Sequence, residues 1–206
     1  MSAYGVDNYD DYWRNFGNKK DHDTRNQRFM VDLVKRNVAP GGAVLDCGVG
    51  AARYYQALLP NYKMRGIELS PERIANYTFD KSGIKCADLE KPLPDFGMKF
   101  DGAIVSFVIH HLRDPRSFMA NLHGQLKTGG KAFIVHPNVV YHKHRLDLLM
   151  GRWPKLSTSH RVFVTPKALR QVLAQTGYDV QSVSGQKWKP WPEVFARNLF
   201  YVCAKR

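Results

Sequence analysis

The chain has 206 residues, enough for one ordinary domain with a substantial core, and its 44% apolar share is too high for a disordered chain. A formal net charge of +13 favours anionic partners, whether nucleic acid, phosphorylated compounds or membrane surfaces, although a basic surface that only aids solubility accounts for it equally. No window approaches the roughly 18 uninterrupted apolar residues of a membrane span.

The first residues show neither a charged start nor an apolar run, so no secretory leader is expected. Cys47, Cys86 and Cys203 are widely separated and lie in or beside apolar runs. They read as buried, reduced thiols with no disulfide framework and no zinc spacing, as in a cytoplasmic protein.

In chain order, residues 1–25 are polar and aromatic, with a short helix expected around 7–16. Tyr9, Tyr12, Trp13 and Phe16 make this arm either a lid over a ligand or a packed helix. Phe29, Met30, Leu33, Val34 and Val38 recur at helical spacing over 25–38, and Pro40-Gly41-Gly42 stops that helix. Strand 43–47, helix 52–59, strand 63–68 and helix 71–81 follow, the last opened by a Ser70 cap and Pro71. Then come strands 84–86 and 101–106, helix 115–127 and strand 131–136.

This alternation predicts a parallel sheet with helices on both faces. Helix 166–176 precedes strand-like runs at 178–184 and 199–204, an expected antiparallel hairpin. Trp188 and Trp191 read as cover for its edge. The fold class is α/β: a Rossmann-like, doubly wound, mostly parallel sheet with a C-terminal antiparallel hairpin, taken as a single domain over 1–206.

Residues 137–163 break the rhythm and are too long for an ordinary connection. Lys143, Arg145, Arg152, Lys155 and Arg161, with His142, His144 and His160, stand there against the single acid Asp147. This basic insertion is expected to cover an acceptor site beside the sheet's C-terminal edge.

In an open parallel sheet, ligands bind beyond the carboxyl ends of the strands where strand order reverses. The first strand ends in Asp46-Cys47-Gly48-Val49-Gly50, whose glycines let backbone approach a ligand closely. The second ends in Glu68, 22 residues after Asp46, where a carboxylate can accept two ribose hydroxyls. A dinucleotide site wants a small residue at position 53, where this chain has Arg53. Asp46 suits a ligand with an ammonium or sulfonium group better than one with two phosphates.

Asp46-x-Gly48-x-Gly50-x-Ala52, then Glu68, then Ala87-Asp88-Leu89, then "FDGAIVSFVIHHLRDP" and "LKTGGKAFIV" resemble successive motifs of the class I S-adenosylmethionine-dependent methyltransferases. The resemblance runs over about 43–136. The insertion and the helix after it are similar to small bacterial methyltransferases of glycan or ubiquinone-type pathways, or to the methionine-biosynthesis W protein. One departure is Ala52, where the family motif has a third glycine.

The resemblance implies roles. Gly48 and Gly50 would pass under the methionine part of S-adenosylmethionine, with Asp46 ordering its ammonium. Glu68 would bind the ribose hydroxyls, Leu69 would cover the adenine, and Asp88 and the Leu89 backbone would meet the adenine edge. Ser106 and Phe107 would line the methyl-donor side. Arg28 is a candidate for the cofactor carboxylate. No metal is implied.

Methyl transfer from a sulfonium needs mainly alignment, and a general base only when the acceptor keeps its proton at neutral pH, as hydroxyls do. His111, His136 and His160 are the candidate bases. Each has a structural alternative: pocket shaping for His111, hydrogen bonding for His136, a solvent-facing loop for His160. His110 is expected to point away if His111 faces the ligand.

The expected activity is methyl transfer to a small-molecule or glycan-type acceptor, acidic or phosphorylated, at oxygen. The alternatives are a nucleic-acid methyltransferase, less favoured because no base-modification motif is present, and a non-catalytic nucleoside-binding or NAD-linked protein on the same fold. Oligomeric state is not readable.

Overall fold

A computed structural model of the chain describes residues 24–154, 161–186 and 190–206. Seven strands form one sheet: β1 (Ala43–Cys47), β2 (Lys63–Glu68), β3 (Ile84–Cys86), β4 (Phe100–Ser106), β5 (Leu126–Pro137), β6 (Tyr178–Ser184) and β7 (Asn198–Lys205). The helices are α1 (Thr24–Asn37), α2 (Arg53–Leu58), α3 (Pro71–Ala75), α4 (Pro115–Gln125), α5 (His142–Leu149), α6 (Pro166–Gln175) and α7 (Pro192–Phe195), with a 3-10 turn over Ile109–His111.

The strand order is β3-β2-β1-β4-β5-β7-β6. β1 to β5 pair in parallel, while β7 inserts antiparallel between β5 and β6. The expected C-terminal antiparallel pair is therefore present, with its second strand placed inside the sheet.

Alternate side chains go to opposite faces of a strand, and here both faces are apolar. Leu45, Ala103, Val105, Ile134 and Tyr201 meet Phe118 and Leu122 of α4 and Leu169 and Leu173 of α6. Val44, Ile104, Phe133, Val135 and Phe200 meet Met30 and Val34 of α1 and Tyr55 and Leu58 of α2. Burying two faces explains why β1, β7 and the central parts of β4 and β5 read as nearly continuous apolar runs, while the edge strands β3 and β6 do not.

Several elements differ from the sequence expectation. Helix 71–81 stops at Ala75, because the following residues turn back to the glycine loop: Tyr77 donates its hydroxyl to the Gly50 carbonyl at 2.6 Å, and Phe79 stacks on Tyr77. Helix 115–127 ends at Gln125, and β5 starts at Leu126, opposite Phe100. The register then jumps to Gly102 opposite Lys131, a bulge that absorbs Gly129 at φ +72 and Gly130.

α7 had no sequence signal beyond Pro192. Trp191, read as edge cover, is 73% exposed. Cys47 and Cys203 are buried as expected, whereas Cys86 is exposed because β3 lies at the sheet edge. The expected arm helix around 7–16, with Tyr9, Tyr12, Trp13 and Phe16, lies outside the described residues, as do Lys155, His160 and Trp188.

Candidate active site

Strand order reverses between β1 and β4, so the carboxyl ends of these two strands open the crevice of the sheet. β1 delivers Asp46 into it, and the chain then turns through Gly48 (φ +82), Gly50 (φ +56) and Ala52 (φ +56) into α2. A Cβ on Gly48 would come within 2.9 Å of the Val108 side chain, so the position demands glycine by space as well as by φ. Ala52, at the family's third glycine position, takes the left-handed conformation with a Cβ, a strain of about 1–2 kcal/mol.

Glu68 at the end of β2 clamps this loop. One carboxylate oxygen accepts the Gly50 N–H at 2.7 Å and the other accepts the Ser70 N–H at 3.0 Å. The carboxylate is 4% exposed, and each oxygen keeps a lone pair beyond its amide partner.

Asp46 is the anomaly. It is fully buried, and neither carboxylate oxygen makes a hydrogen bond of normal geometry, although the Tyr55 backbone N–H lies near enough to favour its charged form. Burial pushes its pKa up to about 8, repulsion from Glu68 adds to the rise, and the nearby Tyr55 backbone N–H draws it partly back. Buried carboxylates are ordinarily hydrogen-bonded or paired. A cationic ligand end is the partner this geometry lacks.

On the other wall, Ser106 ends β4 and shares a 3.0 Å hydrogen bond with the Tyr54 hydroxyl from α2. Burial pushes the Tyr54 hydroxyl up to about 12, the Ser106 bond works against that, and the Asp46 charge adds to it. Phe107 follows at φ +53, a conformation a bulky residue adopts only when its surroundings enforce it. Here its N–H is held by the Val135 carbonyl at 3.0 Å.

Three imidazoles gather at the ends of β4 and β5. The His110 and His111 rings are 4.2 Å apart and those of His110 and His136 are 5.5 Å apart. His110 and His136 are buried, and His111 is half-buried. His136 Nε2 lies 3.1 Å from the Val164 carbonyl, which can only accept, so a hydrogen bond there needs a proton on Nε2. The His110 carbonyl accepts the N–H groups of Arg161 and Val162 at 2.8 and 3.3 Å. The return arm of the insertion is thus stitched to β4 and β5 through two histidines.

A model of the methyltransferase domain matches residues 22–183. The chain belongs to the class I S-adenosylmethionine-dependent methyltransferases. It is 25% identical over 192 residues to a ubiquinone biosynthesis O-methyltransferase of Xylella fastidiosa, covering 87% of this chain and 78% of that one. It is 25% identical over 224 aligned positions to a demethylmenaquinone methyltransferase of Chlorobaculum parvum, covering 100% and 85%. Among solved structures it shares its fold with an S-adenosylmethionine-dependent methyltransferase from Clostridium acetobutylicum, with TM-score 0.68, 12% identity and coverage of 96% and 97%.

S-adenosylmethionine is the cofactor of such methyltransferases, and the residues present fit it. The unpartnered Asp46 carboxylate suits the ammonium of its amino-acid end, and the positive-φ glycines leave backbone bare at the same place. Asp88 and Leu89 are half-buried just past β3, and Leu69 is 41% exposed between Glu68 and Ser70. Arg28 is exposed on α1. Sequence reasoning missed Tyr54 and Tyr77. Their only signal was position: Tyr54 in the first turn of the helix leaving the glycine loop, Tyr77 inside the stretch expected as helix 71–81, which in fact ends at Ala75.

Proposed function

We propose that this methyltransferase methylates an oxygen of a small, hydroxyl-bearing acceptor, quinone-type and acidic in character. The observation that carries the cofactor side is the buried, unpartnered Asp46 beneath the glycine loop. On the acceptor side, the reading is supported by the imidazoles at the ends of β4 and β5, where a hydroxyl would have to lose its proton. The names of the two relatives, one an O-methyltransferase of ubiquinone biosynthesis and one acting on demethylmenaquinone, support a quinone-type acceptor.

When bound, S-adenosylmethionine supplies a methyl group made electrophilic by its sulfonium. Asp46 holds the ammonium, Gly48 and Gly50 let the backbone come close, and Glu68 serves the ribose while keeping the loop closed through Gly50 and Ser70. Leu69, Asp88 and Leu89 frame the adenine. Ser106, fixed by Tyr54, and Phe107 line the side from which the methyl group departs. His111 takes the acceptor proton, and His136 positions the insertion's return arm through Val164. His160, beyond the described residues, remains a further candidate for contact with the acceptor.

The acidic character is supported by the net charge; Arg161, exposed and with its N–H on the His110 carbonyl, is the cation nearest the imidazoles, although it is ion-paired with Glu90 at 3.8 Å. Arg145 and Arg152 are engaged locally, on the Val140 carbonyl and Asp147, and lend it less. The test is acceptor-dependent release of S-adenosylhomocysteine with a catechol and with its monomethyl ether. Turnover of the catechol, with kcat for His111→Gln falling about 100-fold or more at neutral pH, supports the reading. Equal turnover by His111→Gln contradicts the base, and release with nucleic acid in place of the catechol contradicts the acceptor.

A further inference from the structure

We infer that Tyr77 is a positioning residue for the cofactor, its hydroxyl holding the glycine loop in shape against the backbone strain at Ala52. The inference rests on the reading of this loop as the S-adenosylmethionine site and adds a residue to it. The loop has little hold of its own. Ala52 is the N-cap of α2, sits at φ +56 and ψ +21, and gives the helix no side-chain cap. Serine, threonine, aspartate or asparagine there would supply an acceptor, and alanine supplies none. A residue with a Cβ persists in left-handed geometry only where its surroundings enforce it. Within the loop, one bond closes the turn, from the Ala52 N–H to the Val49 carbonyl at 2.9 Å.

The rest of the hold comes from β2 and the residues that follow it. The Ile67 carbonyl accepts the N–H groups of Gly48 and Val49 at 2.8 and 3.1 Å, and Glu68 accepts that of Gly50 at 2.7 Å. Tyr77 completes the series by donating to the Gly50 carbonyl at 2.6 Å. Gly50 is therefore gripped on both sides of its Cα, at φ +56, two residues before Ala52. Because the peptide unit is planar, fixing the Gly50 carbonyl fixes the whole plane that joins Gly50 to Ala51. The strained turn at Ala52 starts from that plane.

Tyr77 is set up to donate. Its ring stacks on Phe79 at 5.1 Å, and Phe79 packs on Tyr55 of α2 at 5.5 Å, so the ring is placed independently of the hydroxyl. Burial and then the Glu68 charge push the hydroxyl's pKa up, Arg73 works against them, and Asp46 adds to the rise. The proton therefore stays on the oxygen at neutral pH. Although both carboxylates act on it, the hydroxyl spends that proton on Gly50, which leaves Asp46 for the ligand's ammonium.

The test is calorimetric titration of the full chain with S-adenosylhomocysteine, comparing wild type, Tyr77→Phe, Ala52→Gly and the double variant. Tyr77→Phe keeps the aromatic stack and loses one hydrogen bond, and is expected to bind about fivefold or more weakly while still unfolding cooperatively on heating. Ala52→Gly lets residue 52 turn left-handed without strain. It is expected to return the affinity of Tyr77→Phe to within about twofold of the wild type, and to change the wild type by less than about twofold. A tyrosine that only supports the fold predicts a lower thermal midpoint in Tyr77→Phe with unchanged affinity, and that result overturns the inference. So does a weakening that Ala52→Gly leaves in place. A wild type that does not bind S-adenosylhomocysteine overturns the cofactor reading and this inference with it, whereas a wild type that binds as well as Tyr77→Phe overturns the inference alone.

Discussion

Cofactor affinity should depend on pH through Asp46. Its carboxyl titrates at about 8 in the free protein, so at pH 6 only about one molecule in a hundred carries the charge an ammonium needs. The ligand's own α-amino group titrates at roughly 7.7–8.0 and is fully charged at pH 6. At pH 8 about half of each partner is in the required form. Combining the two titrations makes binding about 20-fold weaker at pH 6 than at pH 8, or about 1.8 kcal/mol, with a second decline towards pH 9 as the ligand amine loses its proton. Calorimetric titration with S-adenosylmethionine from pH 6 to pH 9 reads this bell directly. Glu68→Gln, which removes the repulsion raising the Asp46 pKa, should move the acid limb to lower pH. An affinity that is flat from pH 6 to pH 8, or an acid limb that survives in Asp46→Asn, would refute the reasoning.

Asp46→Asn should also raise the stability of the ligand-free protein. The folded state holds its proton up to about 8 while the unfolded chain releases it near 4, so stability is lost as pH rises through that window. The variant escapes that loss, so its thermal midpoint at pH 8 should exceed that of the wild type while cofactor binding disappears; an unchanged or lower midpoint would contradict the buried, unpartnered carboxylate. Gly48→Ala places a Cβ 2.9 Å from Val108 at φ +82, and should cost about 1–3 kcal/mol in denaturant unfolding, only partly recovered by adding Val108→Ala. A thiol reagent should label Cys86 alone in the folded protein and all three cysteines in denaturant; fast labelling of Cys47 or Cys203 would contradict the described core.

Much of this arrangement is legible in the sequence because its signals are local. Apolar runs between turn residues identify β1 and β4, and Gly48 and Gly50 fall where the chain must take positive φ. Glu68 is visible as an acid at the end of the next strand, but its hold on Gly50 is a contact between residues 18 apart that no local pattern announces. The same holds for Tyr54 and Ser106, 52 residues apart, and for Tyr77, whose bond to the Gly50 carbonyl cuts α3 short. Cys86 misleads because β3 looks like an inner strand until its place at the sheet edge is known.

The most direct measurement is a parallel calorimetric titration of wild type and Glu68→Ala with S-adenosylmethionine, S-adenosylhomocysteine and NAD. Saturable binding of the first two by the wild type, none of NAD, and loss of both in Glu68→Ala is the predicted result. Tight NAD binding, or S-adenosylmethionine binding indifferent to Glu68, would contradict a cofactor site built on the glycine loop and the end of β2.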